Sequence, residues 1–332
     1  MTSAGTEKPK FRGVIGRWLF LFVAAGTIVV ALLTTAGFFA RWEWRCELAC
    51  HFRLQYFWLL AIAAVVLLVM KHRAWATTAA AMAAVNLAMV APIYWPVEQP
   101  NATGAKMRLV SFNVLGSNDR YDDVLAMLRK EDADVILLME IKPEWARQIE
   151  GLRDEYPHQH VVPRGDNFGI ALLSRLPWTS VETHYFGSAE VPTIVAAFES
   201  GGRPMTLVGT HPVPPGSATL AAERNEQLAE IGSFLGKNGQ ALVVAGDLNV
   251  TSYSPYFHDL LKQTNLRDSR QGFGVQASWS SPLPLLSIPI DHCLISPEIA
   301  ILSRRIGPHL GSDHRAVIVE LQLPGPPEPT GR

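Results

Sequence analysis

The sequence predicts a helical membrane anchor followed by one mixed domain of the α/β or α+β class, on three observations. The first 96 residues contain three runs free of Asp, Glu, Lys and Arg, at 18–40, 54–70 and 74–95. From residue 107 onward, strand-like and helix-like stretches alternate without an internal repeat. The strand-like stretches end, one after another, in acids, amides and imidazoles.

The anchor comes first. Of 332 residues, 48% are apolar and 18% charged, and the imbalance sits at the N-terminal end. The three runs are 23, 17 and 22 residues long. A helix needs about 20 apolar residues to cross the hydrocarbon core, with roughly 17 at the short end. Three spans are therefore expected, the second the shortest. The first run exceeds the apolar region of about 7–15 residues in a signal peptide. It leads into the bulky stretch RWEWRCELACHFR, so it reads as an anchor and not as a cleaved leader. Lys8, Lys10, Arg12 and Arg17 precede the first run, and Lys71 and Arg73 separate the second from the third. Basic residues favour the cytoplasmic side. The N-terminus is thus expected in the cytoplasm and everything after Trp95 outside it, in a multi-pass protein of the plasma (inner) membrane. Arg41, Arg45 and Arg53 in the intervening link reduce this bias without reversing it. Trp18, Trp42, Trp44, Tyr94 and Trp95 at the run ends suit interfacial belts. Apart from Gln55 at the start of the second run, Asn86 is the one strongly polar residue within the runs, which favours anchoring over a transport role. Three cysteines define no disulfide framework. Cys46 and Cys50 share the proposed external link, but i, i+4 spacing on a regular helix is poor disulfide geometry. Cys293 reads as a small core residue.

VEQPNATGAK, residues 97–106, is a polar linker and marks a domain boundary. The domain is expected over 107–323, with a disordered Pro-rich tail over 324–332. Its strand-like runs are MRLVSFNV, DVILLMEI, FGIALLS, TIVAAF, MTLVGTH, ALVVAGDLN, IDHCLIS and RAVIVEL. Helices are expected over 122–130, 218–235 and 256–263. In the second of these, Leu220, Leu228, Ile231 and Leu235 form an apolar face. His158 and His160 read as solvated loop residues.

The strand ends carry the chemistry. Asn113, Glu140, His211, the pair Asp247 and Asn249, Asp291, and the pair Asp313 and His314 each border an apolar strand. One such place is equally a turn, since Asp and Asn are turn residues. Six of them point to strand ends converging on one polar site, because a carboxylate is costly to bury unless it is paired or bound to metal. His292 points away from Asp291 in a strand and is left out of the set. There is no Gly-rich phosphate loop and no G-x-S-x-G elbow. The donors are mainly oxygen, which suits Mg²⁺, Mn²⁺ or Ca²⁺ better than Zn²⁺. Carboxylates and histidines around a hard cation point to hydrolysis of phosphate esters.

In the motifs SFNV, LLMEI, NFGIALLSR, GTHP, GDLNVTSYSPYF, PIDHCLIS and GSDHRAV, in that order over about 107–322, the chain resembles the endonuclease/exonuclease/phosphatase superfamily of DNase I-like phosphoesterases. The resemblance implies a four-layer α+β sandwich, two packed sheets flanked by helices. It implies Glu140 as the main metal ligand, with Asn113 and Asp313 supporting it and Mg²⁺ as the expected ion. Asp247 would activate the attacking water, and Asn249 would hold it together with a phosphoryl oxygen. His314, oriented by Asp291, would contact the scissile phosphate, and His211 would stabilise the transition state or protonate the leaving oxygen. Asn167 either contacts substrate or caps the turn before Gly169. Two positions depart from the family pattern: Met139 stands where many members have Gln, and Leu248 where many have Phe.

Charge narrows the substrate. From residue 101 on there are 20 Lys and Arg against 26 Asp and Glu, a balance of about −6. Duplex nucleic acid is normally bound through a basic patch, and here Arg304–Arg305 is the only adjacent arginine pair. The expected activity is a phosphodiesterase acting on a lipid head group or small phosphodiester. An extracytoplasmic nuclease is the alternative. A catalytically inactive membrane protein that binds a phosphorylated ligand is the second alternative, and retention of every site residue counts against it.

Overall fold

The computed structural model describes residues 10–200, 202–236, 241–279 and 284–326. The chain divides into two compact units, Met1–Pro92 and Ile93–Arg332.

The first unit is helical. Among its described residues are α1 (Lys10–Ala36), α2 (Trp44–Cys50), α3 (Arg53–Val69) and α4 (Arg73–Val90). The stretches Val14–Phe39 and Arg73–Tyr94 are long and apolar enough to cross a membrane. The second expected span, 54–70, is α3, whose 17 residues rise only about 25 Å at 1.5 Å each. It becomes a full candidate span only together with α2, from which it bends by 65°. The chain is thus a multi-pass membrane protein with two spans, or three when the bent pair counts as one. Small residues on α4 let the helices approach closely, with Ala76 and Ala79 against Leu67 and Ala83 against Tyr56 and Leu60. Outward-facing Phe22, Trp58 and Val69 present the apolar surface that lipid requires. Asn86 is buried, and its Nδ2 donates to Thr34 Oγ1 at 2.9 Å. Arg53 Nη1 donates to Thr34 O at 2.8 Å, so polar groups from α1, α3 and α4 satisfy one another.

The second unit holds two six-stranded sheets among the described residues. Its strands are β1 (Lys106–Asn113), β2 (Val135–Met139), β3 (His158–Val162), β4 (Ile170–Ser174), β5 (Trp178–Tyr185), β6 (Pro192–Ser200), β7 (Arg203–Thr210), β8 (Ala241–Asp247), β9 (Arg267–Asp268), β10 (Asp291–Ile295), β11 (Ala300–Ile306) and β12 (Val317–Gln322). The helices are α5 (Tyr121–Glu131), α6 (Pro143–Ile149), α7 (Ala218–Leu235) and α8 (Pro255–Thr264). The sheet orders are β11-β12-β1-β2-β4-β3 and β5-β6-β7-β8-β10-β9. Each has one central parallel pair, β1–β2 and β7–β8, among antiparallel neighbours.

The apolar runs explain the layers. Alternate side chains of a strand face opposite ways. Val135, Leu137 and Met139 of β2 enter the core between the sheets, where they meet Leu207, Val243, Ala245 and Cys293. Ile136 and Leu138 face outward onto Val124, Leu128 and Trp145 of α5 and α6. On the other sheet Val208, Val244 and Leu294 pack against Leu228, Ile231, Leu235, Phe257 and Leu260 of α7 and α8. The result is helix, sheet, sheet, helix. Strands covered on both faces must be apolar throughout, as these are. Caps fix the helix starts: Ser217 Oγ accepts from Leu220 N, and Ser254 Oγ from Tyr256 N ahead of Pro255.

The stretch 97–106 runs along the sandwich: Gln99 Oε1 accepts from Ile301 N at 2.9 Å, and Gly104 N donates to Leu323 O. Most of the tail expected to be disordered, 327–332, lies outside the described residues, as does Lys8. His158 and His160 depart from the loop expected for them. They lie on the edge strand β3, and His160 Nε2 sits 2.8 Å from Thr183 Oγ1. Their flanks are polar because β3 is an edge, half-buried along its whole length.

Candidate active site

The parallel pairs point their C-terminal ends the same way, and β10 and β12 run antiparallel to them. The last residues of β1, β2, β7 and β8 therefore gather with the first residues of β10 and β12. Asn113 closes β1, Glu140 follows β2, His211 follows β7 and Asp247 closes β8. Asp291 opens β10 directly across the ladder from Asp247. His314 precedes β12, in a loop tied to β1 by a 2.7 Å hydrogen bond from Ser312 Oγ to Asn113 O.

These side chains form one connected group across both sheets. Asn113 Nδ2 donates to Glu140 Oε1 at 3.0 Å and to Asp247 Oδ2 at 3.2 Å. Glu140 Oε2 accepts from Gly116 N at 3.0 Å. Asp247 Oδ2 also lies 3.4 Å from His211 Nε2 and 3.5 Å from His314 Nε2. His314 Nδ1 is 2.9 Å from Asp291 Oδ2. Asp247 Oδ1 accepts from Asn249 N at 2.9 Å, and Asn249 Nδ2 donates to Pro212 O. Glu140 and Asn249 hold positive φ, +63° and +51°. For a glutamate that conformation is strained, and such strain gathers at functional sites. Gly246 is obligatory: its φ is +141°, and a Cβ there would lie 1.9 Å from Thr210 O.

The charges alternate. Burial disfavours the His314 cation, but Asp291 and then Asp247 outweigh it and raise the imidazole to about 10. Burial likewise opposes the Asp247 anion, yet His314 and His211 bring it down to about 2. His314 is thus an imidazolium fixed between two carboxylates.

Not every expected site residue joins this group. Asp313 Oδ2 accepts from Trp279 Nε1 at 3.1 Å, while its Oδ1 is buried without a hydrogen-bond partner among the described residues. Asn167 is exposed and makes no hydrogen bond to the group among the described residues, although the ring of its neighbour Phe168 lies 5.5 Å from that of His211. His292 faces away from the group, with Nε2 2.7 Å from Val250 O and its ring against Phe257. Met139 occupies the position where the family often carries Gln, and its sulfur accepts the Asp247 backbone N–H at 3.1 Å. Leu248 is buried in the outer core. Trp279 and Gly116 went unnoticed in the sequence, because neither a lone Trp in a Ser-rich stretch nor a backbone N–H carries a pattern.

Asp247, Asp291 and His314 bring ligand atoms within 4.8 Å of one another, a group able to hold a divalent metal ion. Asp313 Oδ1, unpartnered among the described residues, and the two oxygens of Glu140 are further donors suited to a hard cation.

Comparisons with known proteins agree on family and fold. The Endonuclease/Exonuclease/phosphatase family matches residues 110–314. Sphingomyelinase C of Listeria ivanovii is 27% identical over 198 residues, 49% of this chain and 59% of that protein. Phospholipase C of Staphylococcus aureus is 24% identical over 206 residues, 49% of this chain and 62% of that protein. The chain thus spans about three-fifths of the length of these curated relatives. The solved endonuclease/exonuclease/phosphatase from Beutenbergia cavernae DSM 12333 superposes with a TM-score of 0.55 at 20% identity, covering 68% of this chain and 73% of that one. Truncated Caenorhabditis elegans TDP2 gives 0.53 at 15% identity, covering 65% and 98%.

Proposed function

This chain belongs to the Endonuclease/Exonuclease/phosphatase family, and from that premise we propose that it is a phosphodiesterase acting on a lipid head group or small phosphodiester. It is a metal-dependent phosphoesterase held on a membrane. The observation that carries the diesterase reading is the imidazolium of His314 set between Asp291 and Asp247, a fixed cation beside a fixed anion. Phosphoryl transfer asks for little else than positioned groups that neutralise charge on oxygen and one that orients water.

In the proposed mechanism Asp247 accepts a proton from the attacking water, which Asn249 helps to aim. As the water oxygen bonds to phosphorus, the P–O bond to the leaving group breaks. His314 donates to a non-bridging oxygen, and Asp291 holds its ring. His211, with Nε2 on the same face of Asp247, protonates the leaving oxygen. Glu140, Asn113 and Asp313 are the proposed metal ligands. These are oxygen donors, which suit a hard cation better than an imidazole does. A bound Mg²⁺ would supply neutralisation of phosphoryl charge.

The lipid reading is supported by the negative balance of the domain, by the membrane helices and by the names of the relatives, a sphingomyelinase and a phospholipase. The placement of Lys and Arg supports a cytoplasmic N-terminus and an extracytoplasmic domain. The test uses the full chain in detergent micelles with Mg²⁺ or EDTA. Substrates are sphingomyelin, phosphatidylcholine, an aryl phosphodiester, an aryl phosphomonoester, and single- and double-stranded DNA. Metal-dependent cleavage of a lipid or aryl diester, with DNA cut far more slowly, is expected. Faster cleavage of DNA would establish the nuclease reading instead, and absence of all turnover the binding-protein reading.

A further inference from the structure

Behind His314 lies a charged group that this mechanism does not use. Asp268, Arg270 and Arg304 are all buried where β9, β10 and β11 come together. Arg270 grips Asp268 through Nη2 at 2.7 Å and Nε at 3.1 Å, which makes that pair neutral. His292 beside them accepts no second charge, since burial and the neighbouring Arg270 push it down to about 3. Among the described residues one cation of this group is left over, Arg304. Its Nε donates to Ser269 Oγ at 3.1 Å and its Nη1 to Gln276 Oε1. Gln276 is held in turn, its Nε2 donating to Arg304 O at 3.0 Å. The remaining nitrogen, Nη2, is buried without a hydrogen-bond partner among the described residues.

A buried cation without a counter-charge is penalised by the hydration it has lost. Burial and then the Arg270 charge lower Arg304, and besides Asp268, already neutralised, Asp291 is the carboxylate that opposes them. Asp291 has one oxygen to spare: Oδ2 is on His314, and Oδ1 is buried without a hydrogen-bond partner among the described residues. The strand geometry agrees. Asp291 and Cys293 share one face of β10, and Ser269, the anchor of Arg304, donates its N–H to Cys293 O at 3.0 Å. Arg304 thus extends from β11 in one sheet to the β9–β10 edge of the other.

We propose that Arg304 is a positioning residue for catalysis, whose anchored guanidinium balances Asp291 from behind and so holds His314 in line with Asp247. The row then reads Arg304 cation, Asp291 anion, His314 cation, Asp247 anion. The inference rests on the reading of Asp291 and His314 given above. Arg304 is buried and bonded to Ser269 and Gln276, outside the catalytic group, so its effect must pass through Asp291.

A double-mutant cycle on the full chain tests this, with bis(4-nitrophenyl) phosphate and Mg²⁺ as probe and thermal unfolding in parallel. R304Q is expected to lower kcat about tenfold with KM within about twofold, and R304K to recover most of the loss. D291N is expected to lower kcat at least as much. In the D291N background R304Q should cost almost nothing further. A full additive loss there, an effect on KM alone, or no loss from R304Q would overturn the proposal. Wild-type turnover by D291N would instead remove the premise about Asp291, and the single variant reads that separately. Should R304Q fail to fold, S269A takes its place in the cycle, since it keeps every charge and frees Arg304 at Nε. A loss of about threefold that D291N abolishes is then expected, and an unchanged kcat or an additive loss overturns the proposal.

Discussion

At the scale of the residue, Asp247 concentrates the most contacts of the site: Asn113, His211, His314, Asn249 N and the Met139 sulfur all bear on its carboxylate or backbone. If its role is to take a proton from water, D247N should keep the turn, because Asn tolerates the same geometry. It should still lower kcat by about 10² or more, the scale for losing a general base. Substrate affinity should hold or rise, since a negative charge near the phosphate is gone. A folded D247N that binds metal and turns over near the wild-type rate would remove Asp247 from the mechanism. Glu140 invites the parallel test. E140Q keeps the shape that accepts from Gly116 N and removes the charge. It should raise the Mg²⁺ concentration needed for half-maximal rate, and an unchanged metal titration would take Glu140 out of the ligand set.

At the scale of the element, β9 is two residues long, yet its Asp268 forms a buried ion pair with Arg270 just beyond the strand. Burial alone would raise Asp268, but the charge of Arg270 holds its carboxyl well below the usual carboxylate range. A depressed carboxylate stabilises the native state fully above its unfolded pKa of about 3.9 and loses that contribution as pH falls below it. Urea unfolding should therefore show stability declining as pH drops below about 4. D268N should destabilise by about 3–5 kcal/mol at neutral pH, the scale for stranding one partner of a buried pair. In D268N the acid-dependent step should shrink. A D268N midpoint equal to wild type would mean Arg270 finds another partner. The helices follow simpler rules. α5 opens with Asp122 and Asp123 and closes with Arg129 and Lys130, each favourable to the helix dipole.

At the scale of the whole molecule, the two units answer to different solvents. The helical one exposes Phe22, Trp58 and Val69, and the sandwich encloses its apolar faces in three layers of core. The proposed orientation rests on Lys8, Lys10, Arg12 and Arg17 ahead of the first apolar run, and on Lys71 and Arg73 where α3 passes to α4. A reporter active only outside the cytoplasm, fused after Ala105, should be active. An inactive external reporter with an active cytoplasmic one at the same site would reverse the orientation.

Much of this was legible in the chain itself. Charge-free runs determined the anchor, because hydrocarbon excludes ionised groups whatever the packing. Period and composition determined β1, β2, β4, β6, β7, β8, β10 and β12, since strands covered on both faces must be apolar. The short or half-exposed elements β3, β5, β9, β11 and α6 escaped, because an edge or a single turn needs no continuous apolar face. Strand-end polar residues were visible one by one. Tertiary structure alone decided which of them meet: Asn113 and Asp247 are 134 positions apart in sequence and 3.2 Å apart in space. Only the packed sandwich could make His314 a cation or bury Arg304 beside an already neutral Asp268–Arg270 pair, because both follow from burial, and burial is a property of the fold and not of the residue.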